Sequence, residues 1–221
     1  SSAGEVSGLV TRLDTLAAHS AVSGTVVNLD GFPELVDAYT LWDSQPKNPF
    51  AVNYVVRSIK SLLYQLAPRY PDLHYLVIVG DDRVIPHRRI VDEALISNER
   101  TYAGIAFTPI LSASLGTRYV LSDDYYAGLL PLPWRGRELY LPQVAIGRLV
   151  EKPAEMAAAV DAFLARPSIA PQSALVTGYD FLIDEANAIS DSLRAQGIGA
   201  EYSVSLTTLI SNTWTGEDLR A

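Results

Sequence analysis

Among the residues able to do chemistry, the first to stand out are Asp81 and Asp82, in YLVIVGDDRVIPHRRI at residues 75–90. Five apolar residues run into a glycine, and the two carboxylates follow at once. Open α/β sheets gather ligands at the carboxyl ends of their strands, so such a pair could hold a cation, share a proton or turn the chain. Carboxylates this close repel each other unless a cation or a proton intervenes, and Arg83, Arg88 and Arg89 are the nearest cations. A second pair, Asp123 and Asp124 in SDDYYAGL, is of the oxygen type that calcium prefers. It has no EF-hand spacing and reads better as a solvated loop with packing tyrosines.

Other routes to catalysis close quickly. The 221 residues contain no cysteine, which removes a thiolate nucleophile, thiolate zinc sites and disulfides from them. His19, His74 and His87 lie far apart and read as surface or packing residues. There is no phosphate-loop lysine motif, no G-x-S-x-G elbow, no H-E-x-x-H and no G-x-G-x-x-G after a strand. VVNLDGF is similar to the opening of the haloacid dehalogenases, but Asn28 stands at the nucleophile position, and an amide cannot form an aspartyl-phosphate. A phospho-receiver reading fails for want of a later acceptor Asp and a lysine beyond it: Lys152 is the last lysine and precedes the later strands.

Bulk properties narrow the partners. The formal net charge is -8 with no basic stripe to neutralise phosphates, so neither nucleic acid nor an anionic membrane is expected. No window approaches the roughly 18 apolar residues of a membrane span. At 48% hydrophobic residues the chain can build a core.

The elements that must position these acids are read from periodicity. Leu9, Leu13 and Leu16 predict a helix over 7–19, and GTVVNLDGF a short buried strand. Val55, Ile59, Leu62 and Leu66 repeat at helical spacing until Pro68. LHYLVIVG, without alternation, predicts a central parallel strand covered on both faces. Residues 91–140 predict long loops and a hairpin. From there the pattern alternates: helix 153–165, strand SALVTGY, helix 184–196 with Gly197 at its cap, strand EYSVSL and a last helical segment. The expected class is α/β, a mostly parallel sheet flanked by helices.

Three ordered segments, YLVIVGDDRVIP, SDDYYAGL and LPQVAIGRLVEKPAEM, resemble the gingipain family of cysteine peptidases in the caspase-like clan. SALVTGYDFLIDEANAISDSLRAQG is similar to the family's next strand and helix. The resemblance runs from about Leu73 onward. It implies a caspase-like three-layer fold, truncated at the C-terminus, with residues 1–150 as an amino-terminal α/β subdomain and 151–221 as the beginning of the catalytic one. It further implies a secreted or cell-surface polypeptide-cleaving parent whose catalytic His and Cys lie beyond TGEDLRA, so that no residue here is catalytic. Calcium is implied at Asp81, with Glu185 nearby, and substrate binding at Asp184 or, failing that, Asp180. The bland reading of Asp184 is a first-turn acid favouring the helix dipole. Truncation would leave the sheet edge near EYSVSL open to self-association. The rival expectation is a non-catalytic α/β binding or scaffold module of a larger cell-surface protein.

Overall fold

The computed structural model describes residues 2–96, 98–106, 108–130, 132–168, 171–200 and 203–220. The chain divides into two compact units, Ser1–Leu164 and Ala165–Ala221, and its class is mixed α/β.

In the first unit, helix α1 (Ala3–Ala18) starts at a capping box. Ser2 Oγ accepts from the Glu5 amide at 3.2 Å, and the Glu5 carboxylate accepts from the Ser2 amide at 2.7 Å. Its apolar stripe, Leu9 with Leu13, packs on Met156 and Ala157. Helix α2 (Pro33–Ser44) buries Leu35, Ala38 and Trp42 at helical spacing. Helix α3 (Pro49–Leu66), capped by Asn48, buries Ala51, Val52, Val55, Val56, Ile59 and Leu62. These two helices supply most of the main core, and Ile78 and Tyr126 join it.

Strand β1 (Tyr75–Val79) runs from this core. Strand β2 (Arg88–Val91) pairs antiparallel with β3 (Tyr119–Ser122), and helix α4 (Pro109–Gly116) lies between them in sequence. After the short helix α5 (Asp124–Ala127), β4 (Leu132–Trp134) and β5 (Arg137–Leu139) form a hairpin. Arg135 and Gly136 both have positive φ in its turn, the geometry that matches strand twist in two-residue loops. Strand β6 (Ala145–Leu149) pairs parallel with β1, from Tyr75 opposite Ala145 to Val79 opposite Leu149. Helix α6 (Pro153–Ala165) closes the unit.

The second unit is a β-α-β element. Strand β7 (Ser173–Gly178) leads through a 3₁₀ turn into α7 (Ile183–Ala195), and β8 (Ser205–Ile210) returns parallel to β7. Gly197 adopts φ +84° just past the α7 C-terminus, the left-handed conformation that ends helices.

Several expectations are corrected. Residues 24–28 form no strand: Val26 and Val27 are exposed, and only a 3₁₀ turn at Leu29–Gly31 succeeds them, capped by Asn28. β1 is covered along one face, where Ile78 is buried, but only in part on the other, where Tyr75 and Val77 are exposed and Val79 packs on the Leu9, Met156 and Ala157 cluster. The 91–140 stretch holds the expected hairpin but also a second strand, helix α4 and the buried α5, so SDDYYAGL is a packed turn rather than a solvated loop. The last strand lies at Ser205–Ile210 rather than over EYSVSL, of which Glu201 and Tyr202 fall outside the described residues. The segment from Thr215 forms turns, not a helix.

Candidate functional site

The carboxyl end of β1 is where the acidic pair should meet a ligand, and what it meets is its own chain. Asp82 receives a bidentate guanidinium from Arg89, Nη1 at 2.5 Å and Nη2 at 2.6 Å, and also the His87 amide at 2.9 Å. The Arg89 side chain is fully buried; its Nε donates to Ser114 Oγ and its backbone pairs in both directions with the Asn53 amide. Burial alone would raise the Asp82 carboxyl, but hydrogen bonds from His87 and Arg89 and the Arg89 charge hold it well below the usual range.

A second bidentate pair faces the first. Arg148, on β6, donates to Asp123 through Nε at 2.9 Å and Nη2 at 2.6 Å. Its Nη1 donates to the carbonyls of Gly80 at 2.7 Å and Ile85 at 2.8 Å. His87 lies between the two acids, Nδ1 3.0 Å from Asp82 and Nε2 3.5 Å from Asp123. Two tyrosine hydroxyls complete the closure: Tyr39 donates to Val84 O at 2.7 Å and Tyr126 to Pro86 O at 2.6 Å. Burial raises both hydroxyls, Tyr39 to about 12 and Tyr126 well above its ordinary value, so both stay protonated donors at neutral pH.

Lys60 anchors the α5 side of this region. Its ammonium is buried and donates to the carbonyls of Tyr126 and Gly128, each at 2.9 Å, with the Tyr64 and Tyr125 rings 5.0 and 5.6 Å away. Burial lowers its pKa to about 8.

Asp81 has a separate and more local role. Its Oδ1 accepts from the Arg83 amide at 2.9 Å, an Asx turn, and its Oδ2 from the Arg83 guanidinium. The Arg83 hydrogen bond lowers the Asp81 carboxyl against a smaller opposing effect of burial. Both Asp81 carboxylate oxygens are engaged by Arg83, and among the described residues no three His, Asp or Glu side chains group to hold a metal. Glu185, named beside it for calcium, belongs to the other compact unit.

Of the three arginines named as relief for the pair, Arg83 and Arg89 each take one aspartate, while Arg88 lies over the Tyr125 ring, 4.8 Å from its centroid. His87, Arg148, Tyr39, Tyr126 and Lys60 were not singled out for this cluster by their positions in the sequence. The signal for Arg148 was present in the I-G-R strand, whose partner strand is β1.

The second unit presents its own strand ends. Past β7 come Tyr179, Asp180 with φ +48°, and Phe181, a residue 85% exposed. Asp184 and Glu185 sit exposed in the first turn of α7, where a negative charge favours the helix dipole. Past β8, the Trp214 indole donates to Gly178 O at 3.0 Å and meets the Tyr179 ring edge-on, centroids 5.6 Å apart at 87°. Nothing in the spacing of residues around Trp214 marks it in the sequence, so it too emerges only from the fold.

No helix among the described residues is long and apolar enough to cross a membrane. No curated protein and no solved structure matches the chain. The profile of Peptidase family C25, the gingipain family of cysteine peptidases, matches residues 10–195, which takes in α3, the closed turn after β1, the Arg148 strand and the β7–α7 segment. A match over most of the length decides the affiliation: the chain belongs to Peptidase family C25.

Proposed function

We propose that these 221 residues are the amino-terminal portion of a gingipain-like cysteine endopeptidase and are inert alone. The observation that carries the reading is the family match over residues 10–195. The chain contains no cysteine, so in this reading the thiolate that attacks a scissile carbonyl comes from polypeptide outside these residues, and the resemblance to the family places its histidine partner there as well. In this reading residues 1–150 form a supporting α/β subdomain and 151–221 open the catalytic one. The first is a scaffold: the ion pairs around Asp82 and Asp123 fix the turn after β1 and leave it no free nucleophile. Asp184, or Asp180 as the alternative, faces the polypeptide substrate from the exposed start of α7. The parent acts outside the cell or at its surface.

Covalent labelling tests this. The natural full-length protein, after removal of any propeptide, is treated with a peptidyl thiol-reactive electrophile, with the 221-residue chain as the control. Labelling of one cysteine, suppressed by a competing peptide, is the expected result. A folded full-length protein that takes no label would instead make this a non-catalytic α/β module.

A further inference from the structure

We propose that Trp214 is a positioning residue for the substrate-side segment Tyr179–Asp184, acting through the Gly178 carbonyl and the Tyr179 ring. The role rests on the peptidase reading above. Its basis is the way β7 ends. Gly178 packs so closely on α7 that a Cβ there would lie 2.3 Å from Ala186 Cβ, so the strand end itself has no room to shift toward the helix. Its carbonyl accepts two donors from beyond β8, the Ser211 amide at 3.1 Å and the Trp214 indole at 3.0 Å.

The indole therefore spans from the segment after β8 to the last residue of β7. Its ring then meets Tyr179, the first residue of the turn, edge to face. Ser211 Oγ accepts from the Thr213 amide at 3.2 Å, and Asp218 accepts from the Thr215 amide at 2.6 Å, so the backbone on both sides of Trp214 is tied locally. An anchored tryptophan thus holds both the carbonyl and the ring that set where the turn begins.

The turn beyond Tyr179 needs such a hold. Asp180 adopts φ +48°, a left-handed conformation that a non-glycine residue keeps only when its surroundings impose it. Leu182 closes the turn by donating to Tyr179 O at 3.0 Å, and Asp184 comes next, in the first turn of α7. The heading of Tyr179 determines where the carboxylates of Asp180 and Asp184 and the exposed Phe181 ring are presented. Groups displaced from where they meet a substrate lose contacts that hold its ground state and transition state alike.

The test uses the full-length enzyme and the variant W214F, which keeps a ring beside Tyr179 but has no indole N–H. Active sites are counted by the thiol-reactive label, so loss of folded enzyme does not enter the constants. The expected result is a KM for peptide substrates raised about tenfold with kcat changed less than about twofold, the signature of lost uniform binding by a displaced substrate-side turn. An unchanged KM with fewer titratable sites would make Trp214 a packing residue and overturn the role alone. A wild type that takes no label overturns the peptidase reading and this role with it. Hydrogen exchange on the 221-residue chain gives a readout independent of activity. In W214F the Leu182 amide should exchange faster while the α7 amides from Ala186 onward stay protected; acceleration spread evenly over the unit would overturn the proposal.

Discussion

Arg89 clamps Asp82 through two guanidinium nitrogens at 2.5 and 2.6 Å, with its side chain wholly out of solvent. Removing one partner of a buried ion pair leaves the other charge uncompensated, which costs far more than the pair contributes when intact. Arg89→Met should therefore lower stability by about 3 kcal/mol in urea denaturation, and the double variant R89M/D82N should recover much of that loss. Acid titration reads the same pair. The folded Asp82 carboxyl lies below its unfolded value, so its stabilisation is fully present above roughly pH 4 and is lost as pH falls through the folded value. Asp82→Asn should flatten that acid limb; an unchanged limb would locate the titrating group elsewhere.

Lys60 runs the other way. Its folded pKa of about 8 lies below the ordinary 10.5, so the unfolded chain binds the proton more tightly and stability rises as pH climbs from about 8 toward 10. Above about pH 10 the buried hydroxyls of Tyr39 and Tyr126 oppose the rise, since the unfolded tyrosines ionise first. Lys60→Met should abolish the increase between about pH 8 and 10. It should also cost stability at all pH values, because the carbonyls of Tyr126 and Gly128 lose their donor.

Gly178→Ala tests the packing of the second unit. The added methyl meets Ala186 Cβ at 2.3 Å and Leu182 O at 3.2 Å, so α7 must move or the strand must bend. A loss of roughly 2 kcal/mol is expected in denaturation of the 221-residue chain. Pairing it with Ala186→Gly should restore most of it, less about 1 kcal/mol for glycine within a helix. Failure of the double variant to recover would mean that contacts other than Ala186 limit the space.

What could be read from the sequence was what is local. The α3 stripe of Val55, Ile59 and Leu62, the whole of α6 and the β7–α7 alternation are written in short-range periodicity, and the structure keeps them within a residue or two at most shared boundaries. The need of two adjacent carboxylates for nearby cations pointed to Arg83, Arg88 and Arg89, since residues close in sequence are close in space; Arg83 and Arg89 pair with the acids, whereas Arg88 turns to the Tyr125 ring. Helix α2 was legible, since Leu35, Ala38, Tyr39 and Trp42 stand at helical spacing, but it was not read because Val36 and Leu41, exposed in the structure, blur the edge of that stripe. Val26 and Val27 carried β propensity with no partner strand to use it. The closing bonds of the site were hidden by distance: Lys60 reaches Tyr126, and Arg148 reaches Asp123 and Gly80, across stretches with no repeating pattern. The gingipain-like segments marked where Arg148 lies but said nothing of what it holds.

The closure of the turn after β1 also fixes an order of events. Gly80 and its acidic neighbours leave the ribosome 68 residues ahead of Arg148, whose guanidinium bonds Gly80 O, Ile85 O and Asp123. Until that arginine has been made and β6 has zipped beside β1, nascent chain as far as the hairpin carries an unfinished turn with open carbonyls and an unpaired strand edge. The hydrophobic helices α2 and α3 can condense early on their own contacts, while β1 waits for its partner. A stall or cleavage between Asp123 and Arg148 would release a chain whose core is partly built but whose sheet has no second strand, the kind of species that chaperones hold and proteases clear.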